Sequence, residues 1–130
     1  MKSAYTAILT PRSEGGYTVR VPDLPGCITS GQDLADALAM AADAANLWLC
    51  AAEDCGDPIP APSAYDVTPC EAGEIPTLIR VDTIAYRTAT DNRAVRKNVS
   101  LPAWMANMAD AQGVNCSQLL QEALRVKLGV

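Results

Sequence analysis

The amino-acid sequence predicts an α+β protein in two parts: a small sheet covered by one helix, then a C-terminal strand-helix-helix module that dimerises. Short alternating strands and one long apolar-periodic helix fill residues 1–87. Pro102 and Gly113 divide residues 94–130 into one strand and two helices. A segment this short, about 37 residues, is too small to bury a good core alone. A lone strand also cannot form a sheet, so we expect it to pair with its copy in a second chain.

The first part begins with three predicted strands. Residues 3–10 and 17–21 carry β-favouring residues in alternation, and the glycines of residues 14–16 supply a tight turn between them. The two prolines of residues 22–26 exclude regular structure and predict a rigid loop. A short third strand is expected at residues 27–29.

A long helix follows, starting at Asp33 with Asp36 three places later and ending near Cys55 before Gly56. Its apolar residues recur every three or four positions, which indicates one face against the sheet. A strand over residues 77–84 then completes a β-β-β-α-β order. The predicted inner face comprises Leu34, Leu38, Ala41, Ala45, Trp48, Leu49 and Ala52.

The C-terminal module has a clear order of signals after a linker at residues 88–93. A strand over residues 95–101 stops at Pro102, which suits the first turn of a helix. Gly113 suits a left-handed cap at the end of that helix. Asn115, with a glutamine three places on, has the spacing of a capping box that starts a second helix.

One face of the predicted strand is suited to DNA. Because strand side chains alternate, Arg96, Asn98 and Ser100 share one face, and Val99 and Leu101 lie on the other. Arginine can donate a bidentate pair to guanine, and asparagine can bind adenine. A two-stranded ribbon fits the major groove. The alternative is that this polar face is merely solvated, on a module that only dimerises.

The module resembles the ribbon-helix-helix family of DNA-binding repressors. The resemblance is carried by Arg96-x-Asn98-x-Ser100-Leu101-Pro102 and by Gly113-Val114-Asn115-Cys116-Ser117. It implies that strand residues contact bases and that the second helix start binds a phosphate. The expected DNA interface is Arg96, Asn98, Ser100, Asn115, Cys116 and Ser117. The expected dimer core is Val99, Leu101, Trp104, Met105, Met108, Leu119, Leu120, Ala123 and Leu124.

Charge is divided unevenly along the chain. Residues 1–79 hold 3 basic and 11 acidic side chains, a net charge of −8. Residues 80–130 hold 7 basic and 4 acidic side chains, a net charge of +3. The front half would therefore repel nucleic acid and attract a basic protein, whereas the tail suits a polyanion. Without further signals, the acidic half is also explained by solubility.

The front half resembles the HicB antitoxin family. The motif is Gly16-Tyr17, then Val21-Pro22-Asp23-Leu24-Pro25-Gly26-Cys27, then Gly31 and Asp33-Leu34 opening an alanine-rich helix. The resemblance implies a truncated ribonuclease-H-like fold that binds HicA, a small basic RNA-cleaving toxin. It also implies repression of the protein's own operon through operator double-stranded DNA. The sequence leaves open whether the homodimer pairs further into a tetramer.

The composition argues against an enzyme and against a bound metal or cofactor. The chain has no histidine, which excludes Ser-His and Cys-His nucleophilic pairs and Cys/His zinc sites. Five cysteines without a two-residue gap indicate free thiols in a reducing cytoplasm. No leader or membrane span is expected.

Two alternatives to the antitoxin remain. One is a stand-alone transcriptional regulator whose front domain senses a ligand or oligomerises. The other is a carboxylate-dependent nuclease built on Asp23 and Asp33, with Asp36 and Asp43 on the helix nearby. Such acids are far more often helix caps and solubility groups, so we expect a non-enzyme.

Overall fold

The computed structural model of the chain describes residues 1–91 and 93–130. These residues form two compact units, unit 1 before Arg93 and unit 2 from Arg93 to Val130. Asn92, inside the predicted linker, lies outside the described residues. The first residues of that linker, Thr88 to Thr90, form the last turn of a helix.

Unit 1 is an antiparallel sheet with one long helix on one face. The strand order is β3-β2-β1-β4, and every neighbouring pair is antiparallel. The predicted α+β class and the β-β-β-α-β order are confirmed. The elements are β1 (Lys2–Pro11), β2 (Tyr17–Arg20), β3 (Ile28–Gly31), α1 (Leu34–Cys55), a 3₁₀ turn (Tyr65–Val67), β4 (Ile75–Asp82) and α2 (Thr83–Thr90).

The turn between β1 and β2 depends on two glycines. Gly15 and Gly16 have φ angles of 97° and 79°, in the left-handed region that favours glycine. The Arg12 N–H donates to the Gly16 carbonyl over 3.0 Å and closes the hairpin. The predicted tight turn is therefore confirmed.

The core lies between α1 and the sheet face that Tyr5 and Leu9 share. Four small or branched residues of the helix, Ala37, Ala41, Ala45 and Leu49, are fully buried against it. The predicted start at Asp33 is confirmed, because its carboxylate accepts from the Asp36 N–H over 2.8 Å.

The first turns of α1 differ from the predicted inner face. Leu34 and Leu38 remain 48% and 39% exposed, and Ala37 makes the contact instead. The reason is the close approach of the helix to Gly31, where a Cβ atom would stand 2.3 Å from the Ala37 nitrogen. Only a small residue fits at this contact.

The connection between α1 and β4 reaches the opposite face of the sheet. The Glu74 carboxylate accepts from Thr10 Oγ1 over 2.9 Å and pairs with Arg20 over 3.2 Å. A backbone hydrogen bond from Glu71 and the Thr10 hydroxyl lower the pKa of Glu74. Ile8, on this face of β1, is fully buried.

Helix α2 was not predicted. We expected the last strand to continue to residue 84, but it ends at Asp82, whose carboxylate accepts from the Ala85 N–H over 3.0 Å. This is a helix N-cap. Arg87 fastens α2 to α1, with Nη2 contacting the Cys50 carbonyl at 3.1 Å and Asp54 at 2.9 Å.

Unit 2 contains α3 (Ala103–Ala111) and α4 (Cys116–Leu128). Both helices were predicted, and their signals are confirmed: Gly113 has a φ angle of 67°, and the Asn115 side chain accepts from the Gln118 N–H. The predicted strand over residues 95–101 is not formed in the single chain. A strand needs a hydrogen-bonded neighbour, and unit 2 supplies none to these residues.

Gly31 provides a test of this packing. The change Gly31→Ala should lower the free energy of unfolding by roughly 1–3 kcal/mol, because the new methyl group overlaps the backbone of α1. Urea unfolding followed by circular dichroism measures the loss. The control is Ser30→Ala, an exposed neighbour on the same strand. Equal stability of the two variants would contradict the close helix contact.

Candidate functional site

The predicted base-contacting residues lie on an open segment. Arg96, Asn98 and Ser100 fall within residues 93–102, which have neither helical nor strand structure in the single chain and are exposed throughout. Their side chains are therefore accessible. Their alternation is still only a sequence prediction.

The start of α4 holds the other predicted DNA contacts. Asn115 caps this helix, and its Oδ1 accepts from the Gln118 N–H over 3.1 Å. Cys116 and Ser117 are the first helical residues, and N–H groups in a first turn have no acceptor within their own helix. Such a turn can bind an anion through its N–H groups and the helix dipole.

The predicted dimer core is wholly open to solvent in the single chain. All nine of its residues are exposed, and neither α3 nor α4 contains a buried residue. Trp104 is 62% exposed, although tryptophan is usually highly buried. Unit 2 thus has no closed hydrophobic core of its own.

The structure gathers much of that predicted core into one groove of about 370 Å³ within unit 2. Trp104, Met108 and Leu124 do not line it. Lys97 does, and its position among apolar residues suits a packed stem with the ammonium in water. The predicted core residues that line the groove are Val99, Leu101, Met105, Leu119, Leu120 and Ala123, together with Cys116 and Ser117 of the predicted phosphate site.

Three of the four carboxylates considered for a nuclease, Asp23, Asp33 and Asp36, have structural partners instead. Asp33 caps α1, and Asp36 accepts from the Gln32 N–H over 2.8 Å. Asp23 accepts from Ser63 through both oxygens, at 2.7 Å from the N–H and 2.6 Å from the hydroxyl. Within residues 1–91 and 93–130, no three carboxylate or thiol groups converge as a metal site. These acids order loops and a helix start.

The Pro-Asp-Leu-Pro-Gly-Cys loop is held in place by two buried side chains, a backbone hydrogen bond and a hydrogen bond from α1. Leu24 and Cys27 are buried, and the Val21 N–H donates to the Cys27 carbonyl over 3.0 Å across the loop. Trp48 of α1 donates its indole N–H to the Pro25 carbonyl over 2.9 Å. Burial raises the pKa of the Cys27 thiol, as is typical of a cysteine that packs within a core.

A sequence model of the family described as HicB-like antitoxin of bacterial toxin-antitoxin system matches residues 5–123. The match spans both units. The chain belongs to this HicB-like antitoxin family.

Similar proteins were also found by sequence and by fold. The chain is 34% identical over 64 residues to the UPF0150 protein Ta0767 of Thermoplasma acidophilum, a match over 49% of this chain and 93% of that protein. It is similar in fold to a chain of a toxin-antitoxin complex from Streptococcus pneumoniae, with a TM-score of 0.63, 20% identity and coverage of 98% of this chain and 99% of that one.

Two structures of antitoxins alone are also similar. The Burkholderia pseudomallei antitoxin HicB gives a TM-score of 0.56 at 22% identity, covering 94% of this chain and 96% of that one. The antitoxin HicB3 gives a TM-score of 0.54 at 26% identity, covering 96% of this chain and 97% of that one. This HicB-like antitoxin therefore shares the fold of its structural neighbours in both units. An antitoxin family favours a non-enzymatic regulator.

Sequence reasoning missed α2 in this HicB-like antitoxin. Asp82 just before Thr83 is the signal that could have found it, because aspartate is a preferred helix N-cap. Thr83 is fully buried, and its N–H donates to the Met1 carbonyl over 3.0 Å. No sequence rule identifies that long-range contact.

Asp23 should be structural in this antitoxin. The change Asp23→Ala removes both acceptors for Ser63 and should lower the free energy of unfolding by about 1 kcal/mol. Urea unfolding measures the loss of stability. The control is Asp57→Ala, because Asp57 is an exposed carboxylate in the connection between α1 and β4 that also contains Ser63. Losses of the same size in both variants would refute the special role of Asp23.

Proposed function

We propose that this HicB-like antitoxin neutralises an RNA-cleaving HicA-type toxin through unit 1 and represses its own operon through unit 2. The observation that carries the proposal is the family match, which runs through both units from residue 5 to residue 123. A toxin-antitoxin complex is among the structural neighbours, and so is a chain of the HicA3 and HicB3 complex, with a TM-score of 0.53 over 62% of this chain.

The division of labour follows the charge. Unit 1 carries most of the acidic side chains, and a net negative surface attracts a basic protein and repels DNA. Unit 2 carries a net charge of +3, with Arg96 and Lys97 on the open segment before α3. Positive charge on a small module favours binding to phosphate groups. Charge therefore favours toxin binding by unit 1 and operator binding by unit 2.

The state of unit 2 supports dimerisation. Its large apolar residues are exposed in the single chain, as at Val99, Leu119 and Leu124, with exposures of 59%, 56% and 45%. A second copy would cover them and would also provide the hydrogen-bonded neighbour that residues 95–101 need. We infer an intertwined homodimer in the cytoplasm, with paired strands that place Arg96, Asn98 and Ser100 in the major groove.

Co-expression tests the antitoxin function. Cells that produce a HicA-type toxin encoded beside this gene should resume growth when this chain is also produced, and the two proteins should purify together. Native mass measurement then gives the subunit ratio. Arrested growth and separate elution would instead favour a stand-alone regulator. The chain measured alone should have at least the mass of a dimer.

Arg96 tests the DNA function. The change Arg96→Ala should weaken operator binding by roughly 1–3 kcal/mol and relax sequence preference, because a bidentate contact to guanine is lost. Gel-shift titration against operator and scrambled DNA measures both effects. Arg125→Ala removes the same charge from the last turn of α4 and is the matched control. Neither variant should alter toxin neutralisation. Unchanged operator affinity in Arg96→Ala would exclude it from the DNA interface.

A further inference from the structure

Helix α1 has a second apolar stripe on the flank next to its buried face. We define the outer stripe as Met40, Ala44, Leu47 and Ala51, which are spaced by four, three and four residues. Residues at this spacing lie along one side of a helix. Met40 and Leu47 are 39% and 57% exposed, and Ala51 is exposed. Ala44 is the inner border of the stripe, because it is half-buried and packs against the core. The buried alanines of the core lie on the neighbouring face of α1, roughly a third of a turn from Met40 and Leu47.

This stripe makes α1 more apolar than its packing within the chain requires. An 18-residue window of the helix has a mean hydropathy of 1.3, enough by length and composition to cross a membrane, yet only 28% of the window is buried. The sheet covers one face of α1, and α2 contacts its C-terminal half at Cys50 and Asp54, which leaves Met40 and Leu47 uncovered. An exposed apolar surface rimmed by polar groups is typical of an interaction site.

The rim of the outer stripe is acidic. Asp36, Asp43 and Asp54 lie seven and eleven residues apart and therefore share one edge of α1. Asp54 pairs with Arg87 of α2 over 2.9 Å. Tyr86 of α2 borders the same edge, where burial and then the charge of Asp43 raise the pKa of its hydroxyl. A partner would thus meet two large apolar side chains beside a line of carboxylates.

The charge distinguishes between possible occupants. An anionic bilayer surface would repel a unit with a net charge of −8, to which Asp36 and Asp43 contribute beside the stripe. A second copy packed symmetrically on the same stripe would bring like-charged edges together. A partner with cationic side chains around an apolar patch would be attracted, and its charges would pair with these carboxylates.

We propose that the outer stripe of α1 is the docking surface for a basic protein partner. Met40 and Leu47 are the apolar anchors, and the small side chain of Ala51 allows the partner's backbone to approach closely. Asp36 and Asp43 pair with its cationic side chains. The inference rests on the proposed function, since the partner tested is the HicA-type toxin, and it locates the contact on one helix of unit 1.

The experiment compares two variants of the full chain that each add a cation at an exposed apolar position. Leu47→Arg alters the outer stripe, and Ile28→Arg alters β3 on the sheet face opposite α1, where Ile28 is 66% exposed. Binding to an inactivated HicA-type toxin is titrated by biolayer interferometry, and circular dichroism confirms that both variants fold. Leu47→Arg should bind roughly thirtyfold more weakly or worse, as for an interface hot spot. Ile28→Arg should bind like the parent chain.

A charge variant tests the acidic rim separately. Asp43→Lys should slow association with the toxin and reduce the dependence of that rate on salt concentration, because steering by opposite charge is lost. Asp57→Lys, an exposed carboxylate beyond the end of α1, makes the same change of charge elsewhere in unit 1. It should slow association much less. Equal effects of the two variants would mean that only net charge matters, and would overturn the role of the rim.

Other outcomes separate this inference from the proposed function. If the parent chain binds the toxin and Leu47→Arg binds equally well, the docking surface lies elsewhere and the antitoxin function stands. If the parent chain does not bind, the proposed function fails and the docking inference fails with it. A lower mass of Leu47→Arg alone would assign the stripe to a second copy. Flotation of the parent chain, but not of Leu47→Arg, with phosphatidylglycerol vesicles would assign it to a membrane. Either result would overturn the inference.

Discussion

The close approach of α1 to the sheet is the contact on which unit 1 depends. Gly31 at the end of β3 and Ala37 on the helix leave no room for a larger side chain, and the alanines that follow continue the contact along the helix. This packing places Trp48 against the Pro25 carbonyl and so fixes the Pro-Asp-Leu-Pro-Gly-Cys loop. It also leaves the neighbouring flank of α1, with Met40 and Leu47, open to solvent. The position of the Pro-Asp-Leu-Pro-Gly-Cys loop and the exposure of the candidate docking surface therefore both result from the packing of α1 on the sheet.

Unit 2 differs from unit 1, because its sequence specifies two helices but no core that is enclosed within the single chain. Its two helices form within the chain through local signals, a glycine after α3 and an asparagine cap before α4. Their apolar residues stay exposed, and the segment before Pro102 has no strand partner. Small modules of this kind obtain buried area by association. The proposed DNA interface and the proposed dimer core are thus coupled, since the same pairing would order one and bury the other.

Prediction from sequence succeeded where the signals are local. The hairpin glycines, the Asp33 cap, the order of the first four strands and α1, and both C-terminal helices follow from residues a few positions apart. It failed where distant parts of the chain decide the outcome. Leu34 and Leu38 fit the inner period of α1 but are displaced by the contact at Gly31. Helix α2 begins where the last strand was predicted to continue, because the Asp82 side chain caps this helix and Arg87 links it to α1.

The amino-acid sequence by itself determined the class of fold, the two-part organisation of charge and the motifs that resemble HicB antitoxins and ribbon-helix-helix repressors. These properties depend on composition and short-range spacing, which are independent of how the chain packs. Only the tertiary structure decided that the Asp23 carboxylate binds Ser63, that Cys27 is buried, and that α1 keeps an apolar stripe uncovered. Those outcomes depend on which distant residues meet, and burial is a property of the folded whole.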